Sequence, residues 1–588
     1  MMSVTRIFDL LPHLAQAPSA DCLNAKVKGQ WVATSTESYI SQAGQLAAGL
    51  LAMGLQKGDR VAMIANNRPE WNITDMGILS AGMINVPMYP TISEADYKFI
   101  LNDAEVKVVF VSDKELFRKV QSVRAEVPSL MEVYAFEEVE GAKSWKEVLQ
   151  LGQNNPAADQ LKSIQAGIQP DDLATIIYTS GTTGNPKGVM LSHHNIMSNM
   201  ITCQPLCTVE PGDVVLSFLP LCHVFERMLV YMYQYQRAHI YYAESMDTIG
   251  DNIREVKPVM FTAVPRLLEK VYDRIVAKGN EQKGIKKVLF FWALNLALKY
   301  EYSGGNGAFY TFKLGIARKL VFSKWREGLG GRIKSIVSGS APLQPRLNRV
   351  FNGAGIKVLE GYGLTETSPV VSVNRMQERD ARFGTVGPVI DDVQVRIAED
   401  GEILVKGPNV MLGYYKRPDL TAEVIDADGW FHTGDIGMLE EGRFLKITDR
   451  KKEMFKTSGG KYVAPQLLEN KFKESPFIEQ VMVVGDARKF PGALIVPAFA
   501  YLKDWCKSQQ LPCETPEQMV TNDKVRQKLW EQIAAFNKEF GKTEQVKKIK
   551  LLPKEWSVES GELTPTMKLK RKVLNEKYKQ EIESIYAE

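Results

Sequence analysis

The stretch YTSGTTGNPKG, residues 178–188, sets Thr179, Ser180, Thr182 and Thr183 around Gly181 and Gly184 and ends on Lys187 and Gly188. Hydroxyl donors, glycines that let backbone N–H groups approach an anion, and a lysine charge are what a bound phosphate requires. A Walker loop reads G-x-x-x-x-G-K-[ST] and opens a helix whose N-terminus receives the phosphate. Here Pro186 precedes the lysine, and Gly188 follows it with no hydroxyl to hold magnesium. LATIIYTS (173–180) reads as a buried strand running into the loop, GVMLSH (188–193) reads as a strand leaving it, and a helix is expected near His194. The stretch is therefore a phosphate loop between two strands. A mobile Gly/Ser/Thr linker needs neither the lysine nor the flanking strands.

The same alternation extends outward. Residues 39–53 are amphipathic and helical, VAMIA (61–65) and VKVVFVSD (106–113) read as buried strands, and residues 71–81 as a helix between them. Strands alternating with helices predict parallel sheets covered by helices. Beyond ITDRKK (447–452), which reads as a domain joint, a smaller unit contains the strands QVMVVGD and ALIVPAF among helices.

At 588 residues the chain requires at least two domains. A net charge of +4 gives no case for nucleic acid. The six cysteines are scattered without a C-x-x-C, and no nearby Cys or His completes a zinc set with Cys203 and Cys207, which predicts reduced thiols in a cytoplasmic protein. The start of the chain shows no signal-peptide pattern, and no apolar run reaches the roughly 18 residues of a membrane span. Residues 278–332 stand apart, with 11 basic and 3 acidic residues around VLFFWALNLAL (288–298). Two readings stay open for this segment: a helical hairpin packed on its own domain, or a basic amphipathic surface that touches anionic membrane.

The opening stretch resembles the signature loop of the adenylate-forming enzymes, which include acyl-CoA synthetases, adenylation domains and luciferases. GSAPL (339–343), EGYGLTET (360–367), GWFHTGD (429–435), TDRKKEMFKTSGGKYVAPQ (448–466) and LTPTMKLKR (563–571) follow in that family's order, so the resemblance covers nearly the whole chain. It implies an α/β fold with a large N-terminal domain of helix-covered sheets (1–449), carrying the basic helical insert 278–332. A small mobile α+β C-terminal domain (450–588) follows. ATP, Mg2+ and CoA are implied with it. Thr179, Ser180, Gly181, Thr182, Thr183, Gly184 and Lys187 would hold the departing phosphates, Glu366 the magnesium and Thr365 the α-phosphate. Tyr362 would lie against the adenine with Gly339, Ser340 and Ala341 on its other face, and Glu360 and Gly363 count with the nucleotide-binding residues. Asp435 would take the ribose hydroxyls, beside Arg450.

Lys568 stands where the family keeps its adenylation lysine, with Met567 in place of the usual glycine. Lys568, Lys570, Arg571 and Lys572 form a basic run whose plain reading is a solvated face. Lys452 would be the hinge about which the small domain turns between steps. Lys456, Ser458, Gly459 and Gly460 would then face the site for CoA attack. His223, in LSFLPLCHVFER (216–227), would line the acyl site, and this string with its neighbours resembles the long-chain fatty acid branch. MLVYMYQYQ (228–236) reads equally as tunnel wall or core.

A chain of roughly 16 carbons gains ~12 kcal/mol on leaving water, at ~0.8 kcal/mol per methylene. Such an acid resides in membranes, which strengthens the reading of 278–332 as a peripheral contact with the inner face of a membrane and leaves the packed hairpin open beside it. The alternatives left open are a fatty acyl-AMP ligase loading a carrier protein, a ligase for another carboxylic acid, and a non-catalytic acyl- or nucleotide-binding protein. A homodimer is left open as well.

Overall fold

Residues 174–178 of the strand Leu173–Thr179 are buried in succession, as in a strand covered on both faces. The strand pairs antiparallel with Lys187–Ser192, setting Tyr178 opposite Gly188 and Thr179 opposite Lys187. The helix His193–Cys203 begins only after that second strand, its N-terminus capped by Ser192 Oγ, which accepts from the Asn195 N–H at 3.0 Å. The loop therefore joins two strands and opens no helix. The computed structural model describes residues 4–154, 158–179, 185–245, 247–558, 560–564 and 567–587. Ser180, Gly181, Thr182, Thr183 and Gly184 lie outside the described residues.

Two compact units are formed, Met1–Val395 with Val405–Phe431, and Arg396–Leu404 with His432–Glu588. The first unit holds two eight-stranded sheets. One is ordered Gly413–Tyr414, Lys187–Ser192, Leu173–Thr179, Ile84–Met88, Arg60–Ile64, Val108–Val111, Glu132–Ala135, Lys143–Ser144. It is parallel except at its first two pairings. The other runs from Val370–Val373 through Val358–Gly363, Ser335–Ser338, Met260–Ala263, Val214–Ser217, His239–Tyr242 and Leu23–Val27 to Gln30–Thr34, with antiparallel strands only at its two ends. Helices such as Thr36–Ala52 and Pro69–Ser80 cover these sheets, in line with the alternation in the sequence. The helix Val224–Tyr235 is buried over residues 224–234, so MLVYMYQYQ contributes Tyr231 and Tyr233 to the core.

The basic segment forms the helices Gly284–Leu298, Gly307–Ala317 and Ser323–Gly328, the last two joined by a wider turn at Arg318–Phe322. Phe290, Leu294, Ala297, Leu314, Phe322 and Trp325 pack into one core with Leu347, Val350 and Phe351. The segment is thus a helical array seated on its own unit.

The second unit holds the sheet Gln394–Ile397, Glu402–Lys406, Phe431–Glu440, Phe444–Arg450, the small hairpin Phe455–Lys456/Tyr462–Val463, and the sheet Ile478–Val484, Gly492–Pro497, Lys548–Leu551. The third strand of this last sheet, KIKL, is short and alternates lysine with aliphatic residues, so its sequence carries no buried-strand signal. All six cysteines are free. Burial pushes the Cys22 and Cys207 thiols up to about 11 and Cys203 to about 12, which leaves them unreactive.

Candidate active site

Lys187 begins the strand that leaves the phosphate loop, and this strand is flanked on its other edge by Gly413–Tyr414, with Tyr414 opposite Val189. Tyr415 N donates to Gly188 O at 2.7 Å and Leu412 N to Met190 O at 3.0 Å, extending that pairing. Tyr414 thereby lies beside the end of the loop. Its ring faces Lys187 Nζ at 5.0 Å from the centroid, and its hydroxyl donates to Glu366 Oε1 at 2.9 Å. The lysine is attracted by the ring face while its charge stays available to an anion.

Glu366 sits in a single 3-10 turn, Thr365–Thr367. Backbone and amide bonds hold that turn. Met411 N donates to Glu366 O at 2.9 Å, Asn409 Nδ2 to Thr367 O at 2.9 Å, and Thr367 Oγ1 to Pro369 O at 2.6 Å. Asn199 grips the next strand from both sides, donating to Val370 O at 2.7 Å and accepting from Val370 N at 3.1 Å. Tyr362 and Gly363 end the preceding strand at a bulge. A Cβ on Gly363 would sit 1.8 Å from Pro369 O, so no other residue lets the two segments approach this closely. Tyr414, Asn409 and Asn199 went unnoticed in the sequence, where NVMLGYY (409–415) reads only as a turn-rich run.

Gly339, Ser340 and Ala341 follow the strand Ser335–Ser338, with Ser340 in the left-handed region at φ 68°. Glu360 fixes the end of this loop: its Oε1 accepts from the Leu343 N–H at 2.9 Å. The carboxyl is buried, and burial pushes it up to about 7; the Leu343 N–H and the Asn348 side chain offset only part of that penalty, and Oε2 has no well-formed hydrogen bond. The side chain thus braces the loop from beneath. A Cβ on Gly339 would meet the Phe225 ring at 3.2 Å, and Phe225 N donates to His223 Nδ1 at 3.2 Å. His223 therefore caps the helix Val224–Tyr235 next to the GSAPL loop. Since Nδ1 accepts, a neutral ring carries its proton on Nε2.

In the second unit, Asp435 and Arg450 are register partners across the strands Phe431–Glu440 and Phe444–Arg450, and Arg450 Nε donates to Asp435 Oδ1 at 3.0 Å. Lys452 follows that hairpin in an exposed turn. Lys456 lies over the Tyr462 ring at 5.3 Å, and Ser458, Gly459 and Gly460 form the exposed tip between the two short strands, with Gly460 at φ 78°. Lys568 is exposed on a loop closed by Thr564, whose N–H donates to Lys568 O at 2.8 Å and whose Oγ1 accepts from Lys568 N at 3.0 Å. Met567, in the glycine's place, adopts φ 64°. Arg571 corrects the plain reading of the basic run. It is no solvated residue: its guanidinium takes both oxygens of buried Glu469 at 2.7 Å and Glu453 Oε2 at 2.9 Å.

Magnesium fits Glu366 in a particular way. Among the described residues no donor is bonded to its Oε2, and no three His, Cys, Asp or Glu side chains gather as a metal site. One carboxylate completed by phosphate oxygens and water suits magnesium, which favours substrate phosphates over an all-protein cage. Lys187 and the Glu366 carboxylate, brought beside the same strand pair through Tyr414, can together hold a polyphosphate and its cation.

The chain matches the AMP-binding enzyme family over residues 13–415 and the AMP-binding enzyme C-terminal domain over residues 453–588. It is 35% identical over 579 residues to a long-chain-fatty-acid–CoA ligase of Mycobacterium bovis, covering 95% of this chain and 93% of that one. It is 34% identical over 581 residues to long-chain-fatty-acid–CoA ligase 1 of Homo sapiens, covering 91% and 80%. The fold is similar to the crystal structure of the adenylation domain of a carboxylate reductase from Mycobacterium chelonae, with a TM-score of 0.76 at 24% identity over 99% of this chain and 91% of that one. The motifs stand in order along both matched regions, and the chain belongs to the AMP-binding, adenylate-forming enzyme family.

Proposed function

We propose that the chain is an AMP-forming long-chain fatty acid–CoA ligase. A fatty carboxylate attacks the α-phosphate of ATP, giving acyl-AMP and pyrophosphate; the CoA thiol then attacks the acyl carbon, giving acyl-CoA and AMP. The first step is needed because a carboxylate carbon is shielded by its charge, and AMP is a good leaving group. It brings two anions together, so cations must meet the reacting oxygens.

In this reading Lys187, with the hydroxyls and glycines of 179–184, receives the departing phosphates. Glu366 would hold Mg2+, which when bound would neutralise phosphate charge. Thr365 bonds the α-phosphate, Tyr362 and the residues 339–341 enclose the adenine, and Asp435 with Arg450 takes the ribose. Lys568 draws the carboxylate to the α-phosphate. The small domain then turns about Lys452, exchanging Lys568 for Lys456 and the thin Ser458–Gly459–Gly460 tip beside the pantetheine arm. His223 lines the acyl site. Residues 278–332 meet the membrane in which the free acid resides, at its inner face for a cytoplasmic enzyme.

The observation that supports the reading is the hydrogen bond from Tyr414 to Glu366 beside the Lys187 strand, which brings together two residues far apart in the chain that this reading gives to the cation and the phosphates. A panel of fatty acids from short to very long, scored for ATP- and CoA-dependent thioester, tests it. A maximum at long chains is expected; a flat or aryl-preferring profile overturns the substrate class. Accumulation of acyl-AMP without acyl-CoA points instead to a carrier-protein acceptor.

A further inference from the structure

The helix Val224–Tyr235 carries two consecutive charged side chains, and each is bonded to a different sheet of the first unit. Glu226 reaches the sheet that holds Val214–Ser217 and Met260–Ala263: its Oε1 accepts from Ser217 Oγ at 2.6 Å and its Oε2 from Thr262 Oγ1 at 2.5 Å. Arg227 reaches the sheet that holds the phosphate loop: its Nη1 donates to Thr175 Oγ1 at 2.8 Å, on the strand that enters the loop. Thr175 Oγ1 in turn donates to Asn85 O at 2.7 Å in the adjacent strand Ile84–Met88. Arg227 Nη2 donates to Asp75 Oδ1 at 2.6 Å and Nε to the Tyr231 hydroxyl at 2.6 Å, and that hydroxyl donates to the other Asp75 oxygen. Glu226, Arg227, Asp75, Thr175, Ser217 and Thr262 are all fully buried. The chain that leads into the helix is held as well. Asn67 Nδ2 donates to Leu219 O at 2.7 Å, and Asn67 Oδ1 accepts from Leu221 N at 3.0 Å.

Apolar side chains of the same volume would join two sheets as firmly as a buried ion pair. What directional bonds add is register. We propose that Glu226 and Arg227 are positioning residues, a two-way clamp that sets His223, at the start of their helix, in register with the phosphate loop. The inference rests on the ligase reading, in which His223 lines the acyl site and residues 179–187 receive phosphates. Fatty acid and ATP enter the first step as separate molecules, so their relative placement governs its rate, and a displacement of about 1 Å can cost on the order of 10²-fold. In acyl-AMP the two are already joined, so thiol attack is indifferent to that spacing. The clamp therefore serves the first half-reaction.

The test measures both half-reactions on the full chain. Thr175→Val and Thr262→Val each delete one hydroxyl of the clamp at nearly constant volume and leave both charges in place. Each should slow fatty-acid-dependent pyrophosphate release, at saturating ATP and acid, by on the order of tenfold or more, while thioester formation from supplied acyl-AMP stays within about twofold of wild type. Thr175→Ser and Thr262→Ser return the hydroxyl and should return the rate. Val109→Ala, buried on the strand Val108–Val111 of the same sheet as Thr175, lowers thermal stability without touching the clamp and should spare both steps. Wild-type pyrophosphate release in the valine variants, an equal fall in both half-reactions, or the same fall in Val109→Ala overturns the proposal. Amide hydrogen exchange reads the clamp without turnover. Residues 219–225 should exchange faster in the valine variants than in wild type or Val109→Ala, and unchanged protection there overturns the clamp whatever the activity. A wild-type chain that releases no pyrophosphate with any fatty acid, yet shows that exchange pattern, keeps the clamp and counts against the functional reading alone.

Discussion

The Tyr414 hydroxyl donates to Glu366 Oε1 at 2.9 Å while the same ring faces Lys187 Nζ at 5.0 Å. One side chain thereby sets the spacing between the site's carboxylate and its cation. Removing the hydroxyl leaves the ring for Lys187 but frees Glu366 to swing. A neutral donor to a carboxylate contributes about 1.5–3 kcal/mol, so Tyr414→Phe should lower kcat/KM for ATP by roughly tenfold or more. The magnesium concentration at half-maximal rate should rise. A magnesium titration at fixed ATP, paired with Mn2+ binding followed by electron paramagnetic resonance, measures both. Unchanged titrations would falsify a positioning role for Tyr414.

Lys568 and Met567 separate chemistry from backbone. Lys568→Ala should reduce fatty-acid-dependent pyrophosphate release by on the order of 10²–10³, comparable to losing an oxyanion donor. Thioester formation from supplied acyl-AMP should persist. Met567 holds φ 64°, which costs an L-residue roughly 1–2 kcal/mol. Met567→Gly relieves this at a similar entropic cost, so its activity and stability should match wild type within about 1 kcal/mol. Met567→Val, β-branched at the same φ, should lose both, as thermal unfolding and pyrophosphate release will report.

Arg571 is joined to Glu469 through two 2.7 Å bonds and to Glu453 through one of 2.9 Å, the latter next in sequence to Lys452. Arg571→Met strands two carboxylates in a buried setting, where an uncompensated charge costs about 3–5 kcal/mol. The second unit should unfold at markedly lower denaturant. Lys572→Ala, on the exposed side of the same run, should change stability by no more than about 0.5 kcal/mol. Equal denaturation midpoints for the two variants would refute the distinction.

Glu360 gives the chain a pH dependence of defined sign. Burial pushes its carboxyl from an ordinary 4.5 up to about 7, so the folded protein holds a proton that the unfolded chain releases. Its contribution is present below pH 4.5 and is lost as pH rises to about 7, amounting to about 3 kcal/mol at ~1.4 kcal/mol per unit. Glu360→Gln keeps an acceptor for the Leu343 N–H and removes the titration. The variant should equal wild type in urea near pH 5 and exceed it near pH 8. Parallel profiles across that range would show an ionised carboxyl at neutral pH.

How far the sequence discloses this site depends on the range of each interaction. The phosphate loop was legible because its hydroxyls, glycines and lysine are contiguous and its flanking strands, LATIIYT and KGVMLS, are mostly apolar. Asp435 and Arg450 were separately recognisable, and their pairing follows from one hairpin. Tyr414 was not legible: its partners lie at 187 and 366, and a tyrosine in LGYY reads as a turn. Arg571 is not legible either: a basic run looks solvated until Glu469, on the helix Pro465–Phe472, is known to face it. Lys548–Leu551 alternates lysine with aliphatic residues as a half-exposed edge strand does, but over four residues the pattern is too short to stand out in the sequence.

The strand Lys187–Ser192 acquires its second neighbour, Gly413–Tyr414, more than two hundred residues downstream. On a ribosome the hairpin carrying the phosphate loop is therefore complete long before the segment that shields its open edge has been made. Until residue 414 emerges, that edge offers unpaired N–H and C=O groups to any passing strand. Nascent chains stopped short of this point should be chaperone clients unable to retain nucleotide, and those extended past it should be competent: the order of synthesis makes the hairpin of the proposed phosphate loop one of the last parts of its unit to close.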